Sequence, residues 1–417
     1  MFAVYLHKLL RETFPKSVSG AVFCFFLFFL LTSTCHSQEI PGINKYITKG
    51  GYALSKNGKT TFSKNLKNLY IPASTIKLIT SLAALEILGP DYHFSTRIFF
   101  DKTSKTLYIK GSGDPYLISE NVHKITKEIA SKGIVEIADI VLDDSAFALE
   151  HRQTNGSDSS KNPYDANCSA LAVNFNSLPL NVLKRAKVKS PETQTPYLKI
   201  MGQIGKELTS GYHRVNIDAF PQSGNISNGL LYCGQLFKAL FRENGITVTG
   251  TIKQDHTPPD IPLLHHYQAD EDVRDLIQSC LLSSSNFMAN QLYLALGVKE
   301  YGVPATWEKS RRAMNNFIHN SLELNDSQIT MVEGSGLSMD NLVSPEAMIL
   351  VLEKFKPFES LIPIKYGIRM KSGTLRKSGV FCYAGYIAKE ESINPFVILL
   401  NQKTNGRDKI LKILFRQ

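Results

Sequence analysis

The stretch from Ser74 to Leu88 constrains this chain more than any other. It reads as a helix that is apolar on most sides, through Ile76, Leu78, Ile79, Leu82, Leu85, Ile87 and Leu88, with Gly89 as its stop and Pro90 beyond. Such a helix belongs inside a sizeable core. Yet Lys77 lies within it, and Ser74 precedes that lysine by three residues, which puts both side chains on one face. A lysine in such a place is either functional or extends outward to water. A serine hydroxyl becomes a good nucleophile when a base removes its proton, and a lysine can be that base if burial lowers its pKa. Among all the lysines, only Lys77 has a serine three residues before it. The plain alternative is a helix-capping serine beside a solvent-facing lysine.

A chain of 417 residues is too long for one simple core, so two or three domains are expected. The formal charge of +10 suits an anionic wall polymer or a membrane surface. No basic run interleaved with aromatic residues appears, which argues against nucleic acid. Lys8, Arg11 and Lys16, the apolar run Ala21–Leu31 and the small polar residues after it follow the order of a secretory signal. We expect a signal peptide over residues 1–37, cleavage near Ser37-Gln38, and export to the periplasm or cell envelope. A lipid anchor on Cys35 and an uncleaved anchor are the alternatives. Cys168, Cys233, Cys280 and Cys382 are far apart and form no C-x-x-C pair, so buried free thiols are expected rather than zinc ligands. His265-His266 are adjacent and point different ways, so no metal or other cofactor is expected.

Local patterns give the organisation. Asn57-Gly58 between short apolar runs predicts a hairpin over Ile47–Phe62. Beyond Pro90 come alternating strands over Phe94–Phe99 and Thr106–Lys110, a helix over Ile118–Lys132 and a strand over Glu136–Leu142. Ser169–Leu183 and Pro196–Ile217 read as β-rich. Leu230–Asn244 reads as a helix, and so does Asp270–Gly297. Trp307–Ile318 and Ser344–Lys356 follow as helices. Strands at Ile368–Lys371, Phe381–Ile387 and Phe396–Asn401 and a helix at Asp408–Phe415 close the chain. The expected division is a catalytic half over 38–95, a β-rich insert over 96–265 and a second catalytic half over 266–417. The fold class is α/β (α+β).

Three short motifs occur in one order: Ser74-x-x-Lys77, then Ser284-Ser285-Asn286, then Lys371-Ser372-Gly373-Thr374. That is the S-x-x-K, S-x-N, K-[ST]-G order of serine enzymes that act on peptidoglycan or β-lactams. A second Lys-Ser-Gly begins at Lys377. The first copy is preferred because Thr374 adds a hydroxyl, and strand geometry allows only one lysine to serve the site.

With these motifs the sequence resembles the D-alanyl-D-alanine carboxypeptidase/endopeptidase family of class C low-molecular-mass penicillin-binding proteins. Gly89–Thr96, Leu107–Pro115, Ser169-Ala170-Leu171 with Asn174 and Asn176, Gly334–Ser338 and Ala384-Gly385-Tyr386 are similar to family segments, so the likeness runs from about Gly51 to the C-terminus. It implies a penicillin-binding/β-lactamase-type domain, an antiparallel sheet flanked by helices and interrupted by the insert. It also implies acyl transfer on the peptide bond between two D-alanines. Ser74 would be the nucleophile, Lys77 its base and Ser284 a proton relay. Asn286, Lys371, Ser372, Gly373 and Thr374 would bind substrate, with β-lactams as covalent inhibitors. A serine β-lactamase and a non-catalytic wall-binding relative are the competing readings. The departures are Ser285 where the family usually has Asp, Asn290 where an acidic residue is usual, and Glu333 in place of Asp before Gly-Ser-Gly.

Overall fold

A six-stranded antiparallel sheet carries the site. The computed structural model describes residues 37–184, 187–222, 224–389 and 392–417, so the expected leader lies outside the described residues apart from Ser37. Gly50–Lys56 (β1) and Lys59–Lys64 (β2) form the predicted hairpin, with Asn57 and Gly58 both at positive φ, as a tight two-residue turn requires. Four strands complete the sheet, in the order Ile364–Lys365, Ile368–Leu375, Val380–Lys389, Ser392–Asn401, β1, β2. The last two of the four are buried nearly throughout and read as almost continuous apolar runs. The reason is that both faces of the sheet are covered. On one face pack Lys77–Ile87 (α1), Val273–Ser283, Asn286–Tyr301 and Pro345–Phe355, in one core with Ala53, Val397 and Leu399. On the other face the C-terminal helix Arg407–Leu414 presents Ile410, Leu411 and Leu414 to Tyr52, Met370 and Ile398. Residues Ile40–Gln417 form one compact unit.

Between the two parts of this sheet runs a second structure with its own core. Its five strands include His93–Asp101 (β3), Thr106–Gly111 (β4), Ile140–Asp143 (β5), Ile252–Gln254 (β6) and Leu263–Asp272 (β7), in the order β6-β5-β4-β3-β7. β4 alternates as its sequence does, with Leu107 and Ile109 buried. These side chains share a core with Ile125 of Ser119–Ser131 (α2) and Phe237 of Asn228–Glu243 (α3).

Several elements differ from the sequence reading. Within the insert α2 and α3 fall where helices were expected, but Lys199–Gly205 is a further helix. It lies in a stretch expected to be β, and it buries Ile200, Met201 and Ile204 along one side. Asp270–Gly297 is not one helical stretch: its first residues belong to β7, and two helices, Val273–Ser283 (α4) and Asn286–Tyr301 (α5), break at Ser284. Ser74 does not cap a helix but lies inside a 3-10 turn, Ala73–Ile76, that leads into α1. Cys168, Cys233, Cys280 and Cys382 are buried and free.

Candidate active site

The apolar helix holds its lysine completely buried. Lys77 is 0% exposed, and its Nζ donates to Ser74 Oγ at 3.2 Å, to Asn286 Oδ1 at 2.8 Å and to the Ser335 carbonyl at 2.5 Å. Burial lowers its pKa to about 8, opposed by the neighbouring Cys280 and Glu333. The backbone before the nucleophile is strained. Ala73 has φ +47°, a left-handed conformation that side chains with a Cβ rarely adopt. Gly336 lies directly on its carbonyl, where a Cβ would come within 2.1 Å of Ala73 O.

The strand Ile368–Leu375 (β9), which follows Ile364–Lys365 (β8), passes along the other side of Ser74. A Cβ on Gly373 would meet Pro72 O at 2.5 Å and Ser74 N at 3.0 Å, so only glycine permits this approach. Lys371 is 2% exposed, and its Nζ donates to Ser284 Oγ at 2.8 Å and to the Ser372 carbonyl at 2.9 Å. Its pKa falls to about 7, through burial first and the charge of Lys77 second. Lys377 of the second Lys-Ser-Gly is 97% exposed, away from this cluster. Val380–Lys389 (β10) pairs with β9, placing Gly373 opposite Cys382.

The break between α4 and α5 supplies the remaining groups. Ser284 sits in the left-handed region at φ +57°, which turns its hydroxyl toward Lys371. Ser285 caps α5 by accepting from Met288 N at 3.2 Å. Asn286 is therefore not the cap. Its Oδ1 faces Lys77, and its Nδ2 donates to the Tyr164 carbonyl of the insert at 3.0 Å. Ser285 thus does what an Asp at that place also could, since both are good N-caps. Asn290 is fully buried and joins two loops, donating to Thr154 Oγ1 at 3.1 Å and accepting from Gly334 N at 2.8 Å.

Two residues close the site without having been singled out for it. Glu333 is 0% exposed and collects N–H groups from Ser335 and Gly336 at 2.7 Å each, with Asn341 Nδ2 at 2.6 Å. It holds the loop whose Ser335 carbonyl meets Lys77. Arg407 opens the C-terminal helix and reaches β9 from the far face of the sheet, where Nη1 donates to Gly373 O at 2.9 Å and Thr374 Oγ1 at 2.8 Å. Its guanidinium lies 4.3 Å from the Tyr383 ring centroid. The buried acidic residue before Gly-Ser-Gly was a visible signal for Glu333. Nothing near Arg407 in the sequence points to β9. Among the described residues no cluster fit for a metal occurs.

Residues 53–364 match the model of the D-Ala-D-Ala carboxypeptidase 3 (S13) family. The chain belongs to this family. It is similar to a D-alanyl-D-alanine carboxypeptidase of Actinomadura sp. (strain R39), with 24% identity over 71% of this chain and 62% of that protein's length. It is also similar to the D-alanyl-D-alanine carboxypeptidase DacB of Haemophilus influenzae, with 23% identity over 91% of this chain and 85% of the relative. The crystal structure of penicillin-binding protein 4 from Haemophilus influenzae superposes with a TM-score of 0.72 at 20% identity, covering 90% of this chain and 98% of the other. The family member thus shares the penicillin-binding fold, an α+β arrangement of antiparallel sheet and flanking helices.

Proposed function

We propose that this family member is a serine DD-peptidase that cleaves D-Ala-D-Ala ends or cross-link peptide bonds of peptidoglycan through an acyl-enzyme on Ser74. One observation carries the reading: a buried amine, Lys77 Nζ, 3.2 Å from Ser74 Oγ, with its pKa lowered to about 8. Ser74 Oγ attacks the carbonyl between the two D-alanines, and neutral Lys77 takes the hydroxyl proton. The N–H groups of Ser74 and Thr374 receive the developing oxyanion, each worth about 2.7–4 kcal/mol of barrier. Ser284 passes a proton to the leaving amine. Asn286 orients Lys77 and the substrate backbone. Lys371, Ser372 and Thr374 take the terminal carboxylate, and Gly373 lets β9 lie close to it. Water then hydrolyses the ester.

Two lysines in one buried site do not both stay charged, and their mutual repulsion favours one neutral base beside one cation. Residues 96–265 are read as the inserted part, with the separate core around Ile109 and Phe237 in support. Peptidoglycan peptides are the substrate and β-lactams the covalent inhibitors. The similar Haemophilus influenzae protein has been crystallised with a β-lactam. Substrate in the wall requires export to the periplasm or cell envelope, with residues 1–37 as the leader.

A fluorescent penicillin tests the reading. Wild type should label stably, and Ser74→Ala should not label. An unlabelled wild type overturns the enzyme reading, and fast release of the label points to a β-lactamase instead. Muropeptide analysis after incubation with peptidoglycan then separates carboxypeptidase from endopeptidase action.

A further inference from the structure

The C-terminal helix buries one side against the sheet and turns a basic side outward. Ile410, Leu411 and Leu414 are buried, while Lys409, Lys412 and Arg416, spaced three and four apart, are exposed. The outward stripe does not end with the helix. Lys409 Nζ lies 5.4 Å from the Tyr46 ring centroid, and Lys45 Nζ lies 5.3 Å from the same ring. At the other end Lys56 Nζ donates to the Gln417 carbonyl at 2.7 Å, and Lys59 is its cross-strand neighbour at the β1–β2 turn. One band of cations therefore runs from Lys45 across the C-terminal helix to Lys59.

Acidic residues are nearly absent from the segments that build this band. Ile40–Lys67 contains no Asp or Glu, and Lys403–Gln417 contains only Asp408. The carboxylate of Asp408 accepts from Tyr383 Oη at 2.8 Å. Lys45, Lys59, Lys409, Lys412 and Arg416 make no ion pair among the described residues. A band of one sign favours a facing anion.

We infer that this face rests on an anionic phospholipid surface. Phe415, 47% exposed between Lys412 and Arg416, gives the band an apolar ring of the kind that enters a headgroup region. A soluble polyanion offers such a ring nothing. Each lysine or arginine near an anionic leaflet adds to binding, and the contribution fades within a Debye length. The inference does not depend on the peptidase reading.

Vesicle flotation of the full chain tests it, with phosphatidylcholine vesicles alone or mixed with phosphatidylglycerol. Wild type should prefer the anionic vesicles, and the preference should vanish in about 1 M salt. K409E/K412E/R416E should lose that preference by roughly a hundredfold while binding neutral vesicles as before. A K45E/K59E variant, altered on other elements, should lose it in part, and unchanged melting temperatures show that both fold. Equal binding of wild type to both vesicles overturns the inference. So does a triple variant that binds anionic vesicles like wild type. A wild type that binds soluble polyphosphate but shows no preference for anionic vesicles overturns it in favour of a soluble anionic polymer.

Discussion

Ser284 shows how chemistry and stability part at single residues. Its φ of +57° places it in the left-handed region, where a side chain with a Cβ is strained by about 1–2 kcal/mol. That strain aims its hydroxyl at Lys371. Ser284→Gly should therefore stabilise the fold by about 1 kcal/mol in urea unfolding while lowering penicillin acylation by roughly a hundredfold. A destabilised variant would show that the serine hydroxyl, not the backbone, decides stability there. The motif Ser284-Ser285-Asn286 was readable as a string, and so was its place after an amphipathic stretch. Which of its residues caps and which faces the lysine was not readable. A capping Ser285 and a lysine-bound Asn286 depend on a helix break that only packing fixes.

The loop from Glu333 to Asn341 acts as a unit built around one buried carboxylate. Its charge raises the pKa of Lys77, against the effect of burial. Below that pKa Lys77 is protonated and cannot serve as base, so acylation falls on the acid side. Glu333→Gln removes the charge, lowers the Lys77 pKa further and should move the acid limb of the pH–acylation profile to lower pH. It should also cost about 1.5–3 kcal/mol of stability as charge-assisted hydrogen bonds weaken. Glu333→Asp keeps the charge and should restore the limb toward its wild-type position. A limb that stays fixed in Glu333→Gln would reduce the residue to a purely structural role. The C-terminal helix is a second such unit. Arg407 ties its first turn to the carbonyl of Gly373 and the hydroxyl of Thr374, so the helix braces β9 from behind. A helix was expected at Asp408–Phe415, but no local signal told which strand its arginine would reach.

At the scale of the whole molecule, the core of the catalytic helices and the core of the insert are joined by a polar seam. Gln291 of α5 donates to the Gly113 carbonyl at 3.1 Å and the Ser169 carbonyl at 2.9 Å, fastening the insert to the catalytic helices. Asp114 follows in the same turn. It is 5% exposed, and its Oδ2 has no hydrogen-bond partner. Burial raises its pKa to about 7, opposed by the Tyr116 N–H, with Glu271 adding to the rise. The ordinary value is 3.8, so between about 4 and 7 the folded protein holds the proton that the unfolded chain has released. Stability due to this group is present below about 4 and is lost as pH rises to about 7. Asp114→Asn should therefore gain on wild type across that window, by on the order of 1–4 kcal/mol, and level off above it. Urea unfolding at several pH values measures the difference. A gap that is constant with pH would place the Asp114 proton elsewhere.

Local sequence was enough to name the residues able to do the chemistry and roughly where the elements lie. Ser74-x-x-Lys77 inside an apolar helix requires a buried amine near a hydroxyl, because residues three apart share a helix face. Tertiary structure alone decided what that amine meets. Asn286, Ser335 and Glu333 lie more than two hundred residues away along the chain. Their approach depends on a glycine packed against Ala73, a helix broken at Ser284 and a loop folded around one carboxylate. Those contacts balance burial against charge to set the lysine's pKa. They are non-local, so no window of sequence contains them.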